Sequence, residues 1–131
     1  KLMKKLQQEL DMGILIVTHN LGVVAEMCDK VVVLYAGKVM EVATTEQLFR
    51  SPRHAYTLGL IRSVPRIESE EKLEGIPGSL PVMSQPLQGC PFYERCSLAT
   101  DACRNSENTV LREVAPGHLS ACAHHERVCA N

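Results

Sequence analysis

The stretch ILIVTHNLGVV, from Ile14 to Val24, decides which fold we expect. Its first four residues are apolar and mostly β-branched, which is typical of a strand buried on both faces in a parallel sheet. Asn20 can cap a helix, and the apolar residues from Leu21 onward recur at helical spacing. The stretch therefore predicts a buried strand and then a helix, with His19 at the junction.

The residues on either side extend this unit. Leucines at every fourth position give one apolar face to a predicted helix over residues 1–10. Asp11, Met12 and Gly13 are expected to end that helix, because glycine tolerates the left-handed conformation in which many helices end. Residues 30–35 and 38–42 predict a β-hairpin that turns at residues 36–37.

Two short helices are expected after the hairpin. Thr44 and Gln47 match a capping box at the start of the first helix, and Pro52 ends it. The second helix is predicted over residues 56–63, because Pro65 prevents it from continuing.

The composition changes near residue 66, where glutamates replace most apolar residues. Prolines and glycines from Pro77 onward then break every regular pattern. We therefore predict an α/β unit over residues 1–65, followed over residues 66–131 by a linker and an irregular, cysteine-rich domain.

The overall composition of the 131 residues is that of a soluble globular protein, with 45% hydrophobic and 22% charged residues. The net charge of −1 comes with no concentrated basic face, so no nucleic-acid partner is expected. The longest apolar runs are strand-sized, and no signal peptide is evident. Because Lys1 falls inside a helical pattern without a preceding methionine, we expect a longer parent reading frame.

Five of the six cysteines crowd into the last third of the chain. Without an export signal, such crowding favours metal or cluster ligation over disulfides. Five, six and eighteen residues separate four of them in turn: Cys90, Cys96, Cys103 and Cys122. Four thiolates suit either zinc or an iron–sulfur cluster. Cys28, by contrast, lies in a predicted helix and is interpreted as a small buried hydrophobe.

The spacing of these cysteines only mildly favours iron and sulfur over zinc. Structural zinc sites usually carry a pair of ligands about two to four residues apart, and no such pair occurs here. Three histidines lie close enough to complete a mixed zinc site: His118, His124 and His125. Cys129 is left over and competes with Cys122 for the fourth place.

Two histidines outside the cysteine region stand at positions where chemistry is conceivable. In an open α/β sheet, ligands bind at the carboxyl ends of the strands, where His19 is predicted, and an imidazole there can contact a phosphate or an attacking water. Position alone favours a structural histidine bonded to a nearby carbonyl. For His54 and Tyr56, surface capping and packing are the preferred interpretation.

Several strings resemble one known family. The stretch from Ile14 to Val24, with the later LYAGK string, resembles the switch-histidine segment of ABC-transporter ATPases. SPRHAYT resembles the HPYT segment of peptide-importer ATPases, with Ala55 in place of proline. The strings IPG, PLQGCPF and RC resemble the carboxy-terminal domain of oligopeptide/dipeptide importer ATPases. Asn20 departs from the family, which commonly has aspartate there.

This resemblance implies the fold and the site residues. The fold would be the C-terminal portion of a P-loop ABC ATPase domain followed by the cysteine-rich domain. His19 would be the catalytic switch histidine that senses the ATP γ-phosphate and positions the attacking water, with Mg²⁺ bound alongside ATP. The cysteine set Cys90, Cys96, Cys103 and Cys122 would hold a 4Fe-4S cluster, and His118 would match the family's histidine before the last ligand.

The resemblance also implies partner subunits and a cellular location for the parent protein. The parent would energise import of oligopeptides or dipeptides, paired with a second ATPase subunit and two transmembrane permeases and fed by a solute-binding protein. It would be peripheral, on the cytoplasmic face of the inner membrane. The phosphate loop, the magnesium-binding aspartate and the signature motif are absent from this sequence, so the chain alone is expected to be inactive. The alternative is a free-standing cysteine-rich module that binds zinc or iron and sulfur.

Overall fold

The computed structural model describes residues 2–64, 75–80 and 88–128. Five helices and four strands lie in these residues, in the order α1 (Leu2–Leu10), α2 (Leu21–Met27), β1 (Lys30–Tyr35), β2 (Lys38–Thr44), α3 (Thr45–Arg50), α4 (Ala55–Arg62), β3 (Arg112–Ala115), β4 (His118–Ser120) and α5 (His125–Val128). Three 3-10 turns, Tyr93–Arg95, Asp101–Arg104 and Ser106–Thr109, precede β3. Most of the predicted linker lies outside the described residues.

The strands form one antiparallel sheet in the order β1-β2-β4-β3. The predicted hairpin is confirmed: Tyr35 pairs with Lys38, and Lys30 pairs with Thr44. Ala36 and Gly37 both take positive φ, at 48° and 75°, as a two-residue hairpin turn requires. The α/β class is therefore confirmed in its coarse form, with an antiparallel sheet among the described residues.

A second hairpin, β3 with β4, was not predicted. It turns at Pro116 and Gly117, and Gly117 takes a φ of 69°. Glu41 and Val42 of β2 pair with residues of β4. Strands from both sides of residue 66 therefore share one sheet, while the division at that residue stays a prediction.

The predicted buried strand over residues 14–17 is not observed. These residues form no regular element, and Leu15 and Val17 are 92% and 91% exposed. A parallel strand needs neighbouring strands to pair with its backbone groups. In the described residues all four strands pair with one another instead. The prediction of a buried strand is therefore wrong for this chain as it stands.

The helix ends follow the sequence with one exception. The side chain of Asn20 accepts hydrogen bonds from the amides of Gly22 and Val23, so the predicted cap of α2 is confirmed. The end of α1 at Leu10 is confirmed, but the left-handed conformation that was expected at Gly13 occurs at Asp11, with a φ of 47°. A short polar side chain tolerates that conformation by bonding locally.

The capping box of α3 is confirmed, with Thr44 and Gln47 bonding reciprocally. The first core cluster of the molecule lies between this helix and the hairpin. It contains Val33, Ala43 and Leu48, and Tyr56 and Leu60 pack against it. The capped helix α3 and the hairpin, both predicted from local sequence, thus pack around the same apolar cluster.

A second core cluster connects the hairpin to the cysteine region. Tyr35, Met40 and Phe92 form its centre, and Cys90 and Cys96 pack against it. The ring centroids of Tyr35 and Phe92 are 5.4 Å apart in an edge-to-face arrangement, which is a favourable geometry for aromatic pairs. The cysteine region is therefore packed directly on the hairpin.

Across the described residues, no helix is both long and apolar enough to span a bilayer.

Candidate cysteine centre and switch histidine

His19 lies on the bend that precedes α2, and its side chain is exposed. The bend is fixed on both sides by hydrogen bonds: the Asn20 amide donates to Thr18 Oγ1 at 3.0 Å, and Asn20 Oδ1 caps the helix. The imidazole therefore stands at a defined backbone position and faces solvent.

The four predicted cysteine ligands are carried by tight turns and a strand end. Cys90 and Cys96 flank the 3-10 turn Tyr93–Arg95, Cys103 lies within the next turn, and Cys122 follows β4. The Cys90 amide donates to the Cys103 carbonyl at 2.8 Å, which joins the first two turns. The structure thus brings together residues that are up to 32 positions apart in sequence, since Cys90 and Cys122 interact electrostatically.

Each of the four thiols lies within electrostatic range of the other three. The pKa of Cys90 is raised to about 11, mainly by burial; the Phe92 amide lowers it, and Cys122, Cys96 and Cys103 contribute smaller increases. Burial also raises the pKa of Cys96 and of Cys122, and both interact with Cys103. Negative charge on one sulfur is therefore unfavourable next to the others, and a cationic centre would offset that cost.

Backbone amides point at three of these sulfurs. The Phe92 amide hydrogen-bonds to Cys90 and lowers its pKa. The amides of Leu98 and Ala99 act in the same way on Cys96, and those of His124 and Ala55 on Cys122. Hydrogen bonds of this kind stabilise thiolates, which are the form that ligates metals.

Gly89 allows the first two turns to approach each other. A Cβ atom at this position would lie 2.4 Å from the Cys103 carbonyl oxygen and 2.7 Å from the Arg104 carbonyl oxygen. Its φ of 71° is also one that side-chain-bearing residues rarely adopt. Glycine is therefore required next to Cys90 for this arrangement.

Arg95 attaches the segment 75–80 to the cysteine region. Its Nε donates to the Pro77 carbonyl at 2.7 Å, and Nη2 donates to the Ile76 carbonyl at 3.0 Å. The third donor, Nη1, reaches Tyr35 Oη on β1 at 3.2 Å. A single guanidinium thus fixes three separate parts of the chain around Cys96.

His54 is the cap of α4, as predicted, but it is buried rather than on the surface. Only 1% of it is exposed, and its Nδ1 accepts a hydrogen bond from the Tyr56 amide. Burial lowers the pKa of His54 to about 4, so the ring is neutral at neutral pH. Its Nε2 lies 4.0 Å from Cys90 Sγ, a contact that the sequence did not reveal.

A buried pair joins β2 to β4. His118 Nε2 lies 2.6 Å from Glu41 Oε1, and both residues are nearly inaccessible. The same oxygen accepts the Arg53 amide at 2.6 Å. Ser120 Oγ donates to the Arg53 carbonyl and accepts a hydrogen bond from the Cys122 amide. Arg53 and Ser120 therefore connect the Glu41–His118 pair to Cys122 through hydrogen bonds.

Two of the three histidines considered for a mixed zinc site bond elsewhere. His118 pairs with Glu41, and His124 Nε2 lies 2.7 Å from Thr100 Oγ1. Within residues 2–64, 75–80 and 88–128, no group of three or more His, Cys, Asp or Glu side chains is placed to hold a metal ion. Cys129 lies outside the described residues. The cysteine ligands therefore stay a prediction, supported by proximity but not by a preformed metal site.

Comparison with known proteins fits this arrangement. Residues 40–103 match the family described as oligopeptide/dipeptide transporter, C-terminal region. Over these residues, about half of its length, the chain is similar to this transporter family. The matched range contains the capping histidine of α4 and three of the four gathered cysteines, and it crosses the predicted boundary at residue 66.

Curated relatives extend the transporter match to nearly the whole chain. A Brucella ovis protein whose name describes a peptide import ATP-binding protein is 45% identical over 136 aligned residues, covering 98% of this chain and 40% of that protein. A Sinorhizobium fredii protein named as a peptide ABC transporter ATP-binding protein is 43% identical over 93% of this chain and 37% of its own length. This chain thus spans about 40% of the length of the relatives it matches.

Proposed function

We propose that this transporter chain is part of the ATP-hydrolysing subunit that energises ABC-type import of peptides. The observation that carries the proposal is the similarity over 92–98% of this chain to proteins named for ATP binding and peptide import. ATP with Mg²⁺ would be the nucleotide of the complete subunit. Because the phosphate loop, magnesium-binding aspartate and signature motif are not in these 131 residues, this chain alone would not hydrolyse ATP.

In this proposal His19 acts on the γ-phosphate. Its exposed imidazole, on a bend fixed by Thr18 and Asn20, is free to hydrogen-bond a phosphate oxygen or a water molecule. Orienting that water and stabilising charge at the phosphate are the main tasks of a protein in phosphoryl transfer. The exposure of Leu15 and Val17 is consistent with the run being covered by other strands in the complete subunit.

The partners and the domain division belong to the same proposal. Residues 1–65 would complete the ATPase domain, and residues 66–131 would form the linker and the cysteine-rich domain. The subunit would pair with a second ATPase subunit and bind two membrane permeases, which a solute-binding protein supplies with peptide. It would lie on the cytoplasmic face of the inner membrane.

The cysteine group would hold a 4Fe-4S cluster through Cys90, Cys96, Cys103 and Cys122. Four thiols within electrostatic range of one another, with backbone amides directed at three of them, support this proposal, because such clusters are held by cysteine thiolates and tuned by hydrogen bonds to the sulfurs. When bound, the cluster would supply a cationic, redox-active crosslink between the turns. Zinc held by the same thiolates is the alternative.

Replacing His19 tests the ATPase proposal. In the full-length subunit assembled with its permeases, His19→Ala is expected to lower ATP hydrolysis by about 10²- to 10⁴-fold, the usual contribution of a positioned acid–base group. Peptide uptake into proteoliposomes should fall with it. His124→Ala, which removes a histidine far along the chain that bonds Thr100, serves as the control. Unchanged ATP hydrolysis by His19→Ala would refute the role.

Replacing Cys96 tests the cluster. After anaerobic reconstitution with iron and sulfide, the wild-type chain is expected to hold iron and acid-labile sulfide in equal amounts, and Cys96→Ser to lose most of both. Cys28→Ser removes a half-buried cysteine outside the group and should retain them. Stoichiometric zinc without sulfide in the purified wild-type chain would establish the alternative instead.

A further inference from the structure

The amino-terminal end of α4 contacts two of the four gathered cysteines. His54 Nε2 lies 4.0 Å from Cys90 Sγ. The amide of the next residue, Ala55, hydrogen-bonds to the sulfur of Cys122. Two consecutive residues therefore direct N–H groups at sulfurs that are separated by 31 residues of chain. The first residues of α4 therefore lie next to the cysteine group, although they precede the cysteine region in sequence.

The hydrogen bonds of His54 fix which ring nitrogen carries the proton. Its Nδ1 accepts the Tyr56 amide at 3.1 Å, so Nδ1 bears a lone pair. A neutral imidazole with an accepting Nδ1 has its proton on Nε2. The nitrogen that faces Cys90 is therefore the donor, and the cap of α4 holds the ring in that tautomer.

Packing holds the ring in place. His54 is fully buried, and its ring centroid lies 6.3 Å from that of Phe92, a member of the second core cluster. The next residue but one, Tyr56, packs against the first core cluster. Both cores therefore position the donor, and a solvent-exposed side chain would have no such constraint.

We propose that His54 is a positioning residue of the iron–sulfur centre, which donates from Nε2 to the Cys90 thiolate and raises the reduction potential of the bound cluster. This inference rests on the proposed cluster function. An N–H dipole at a ligating sulfur stabilises the additional negative charge that reduction brings, and hydrogen bonds to the sulfurs are among the determinants of cluster potential. The Ala55 amide acts in the same direction on Cys122.

Two substitutions separate the donor from the cap. His54→Asn retains an oxygen at the position of Nδ1, and asparagine is a good helix cap, but its side chain is too short to reach Cys90. His54→Gln places an amide nitrogen near the position of Nε2 and lacks a group at the capping position. The first variant thus loses the donor and the second loses the cap.

The measurement is the midpoint of one-electron reduction by dithionite, in the full chain reconstituted anaerobically with iron and sulfide. Reduction adds one electron to the cluster and makes or breaks no bond. His54→Asn is expected to lower the equilibrium constant for reduction about tenfold, or about 59 mV for one electron. His54→Gln should remain near the wild-type potential while losing thermal stability.

The outcomes distinguish this inference from the proposed cluster. If the wild-type chain takes up no iron and sulfide, the cluster proposal fails and this inference falls with it. If the wild-type chain binds the cluster and His54→Asn has the wild-type potential, only the role of His54 is overturned. Loss of iron from His54→Asn alone would support the donor role, whereas loss of iron from the folded His54→Gln variant alone would show that capping is what matters and would overturn the donor role.

Discussion

Two apolar runs of this chain, both rich in β-branched residues, differ in whether they form a strand. Residues 14–17 and 31–34 look alike in composition, yet the first run forms no strand and the second forms β1. β1 finds its partner, β2, across a two-residue turn. The earlier run has no partner strand close by in sequence. A strand is thus determined by access to a partner as much as by its own residues.

The comparison extends to how the hairpin is stabilised. An isolated two-stranded hairpin is marginally stable in water, and a third strand or a packed helix is needed. Here β4 adds to β2, and Leu48 of α3 packs under Val33. Without either β4 or Leu48, we expect the hairpin to lose its regular structure, as in residues 14–17. That expectation defines two measurements.

The largest effect is expected where β4 joins the hairpin. Glu41→Ala would leave His118 and the Arg53 amide without their buried acceptor. Breaking a buried pair of this kind costs about 3–5 kcal/mol of unfolding free energy. Urea unfolding followed by circular dichroism measures the loss. Glu41→Gln retains an acceptor and should lose less.

An equal loss in Glu41→Gln and Glu41→Ala would show that the charge of Glu41, and not its acceptor oxygen, stabilises the junction. A loss below about 1 kcal/mol in Glu41→Ala would contradict the assigned role, because even one unsatisfied buried donor costs about that much.

The smallest effect is expected in the exposed run. Leu15→Ala should change the unfolding free energy of this chain by less than about 0.5 kcal/mol, as is usual for surface positions. Leu48→Ala makes the same chemical change in a fully buried side chain and should cost about 2–5 kcal/mol. Similar losses for the two variants, measured by the same urea titration, would mean that residues 14–17 are buried in solution.

Sequence reasoning worked best where a signal acts over a few residues. The Asn20 cap, the Thr44 and Gln47 capping box and the turn at Ala36 and Gly37 were all predicted, because each depends on local backbone conformation. The hairpin of β3 and β4 was missed, although its Pro116–Gly117 pair is a recognised turn signal.

Parts of the candidate site were predictable and parts were not. The four cysteines stand out by residue type, and their mutual proximity agrees with the prediction, while their role as cluster ligands stays a prediction. The contact between His54 and Cys90 joins residues 36 positions apart. Nothing in the SPRHAYT string indicates that its histidine is buried, because burial depends on Phe92 and the distant core.

The sequence by itself determined the helix caps, the first hairpin turn and the identity of the soft sulfur donors, since each follows from the conformational preference or chemistry of nearby residues. Only the tertiary structure decided that Glu41 meets His118 across 77 residues, that His54 faces a thiol, and that residues 14–17 remain exposed. These outcomes depend on which surfaces become available for pairing and burial, and that is a property of the assembled chain.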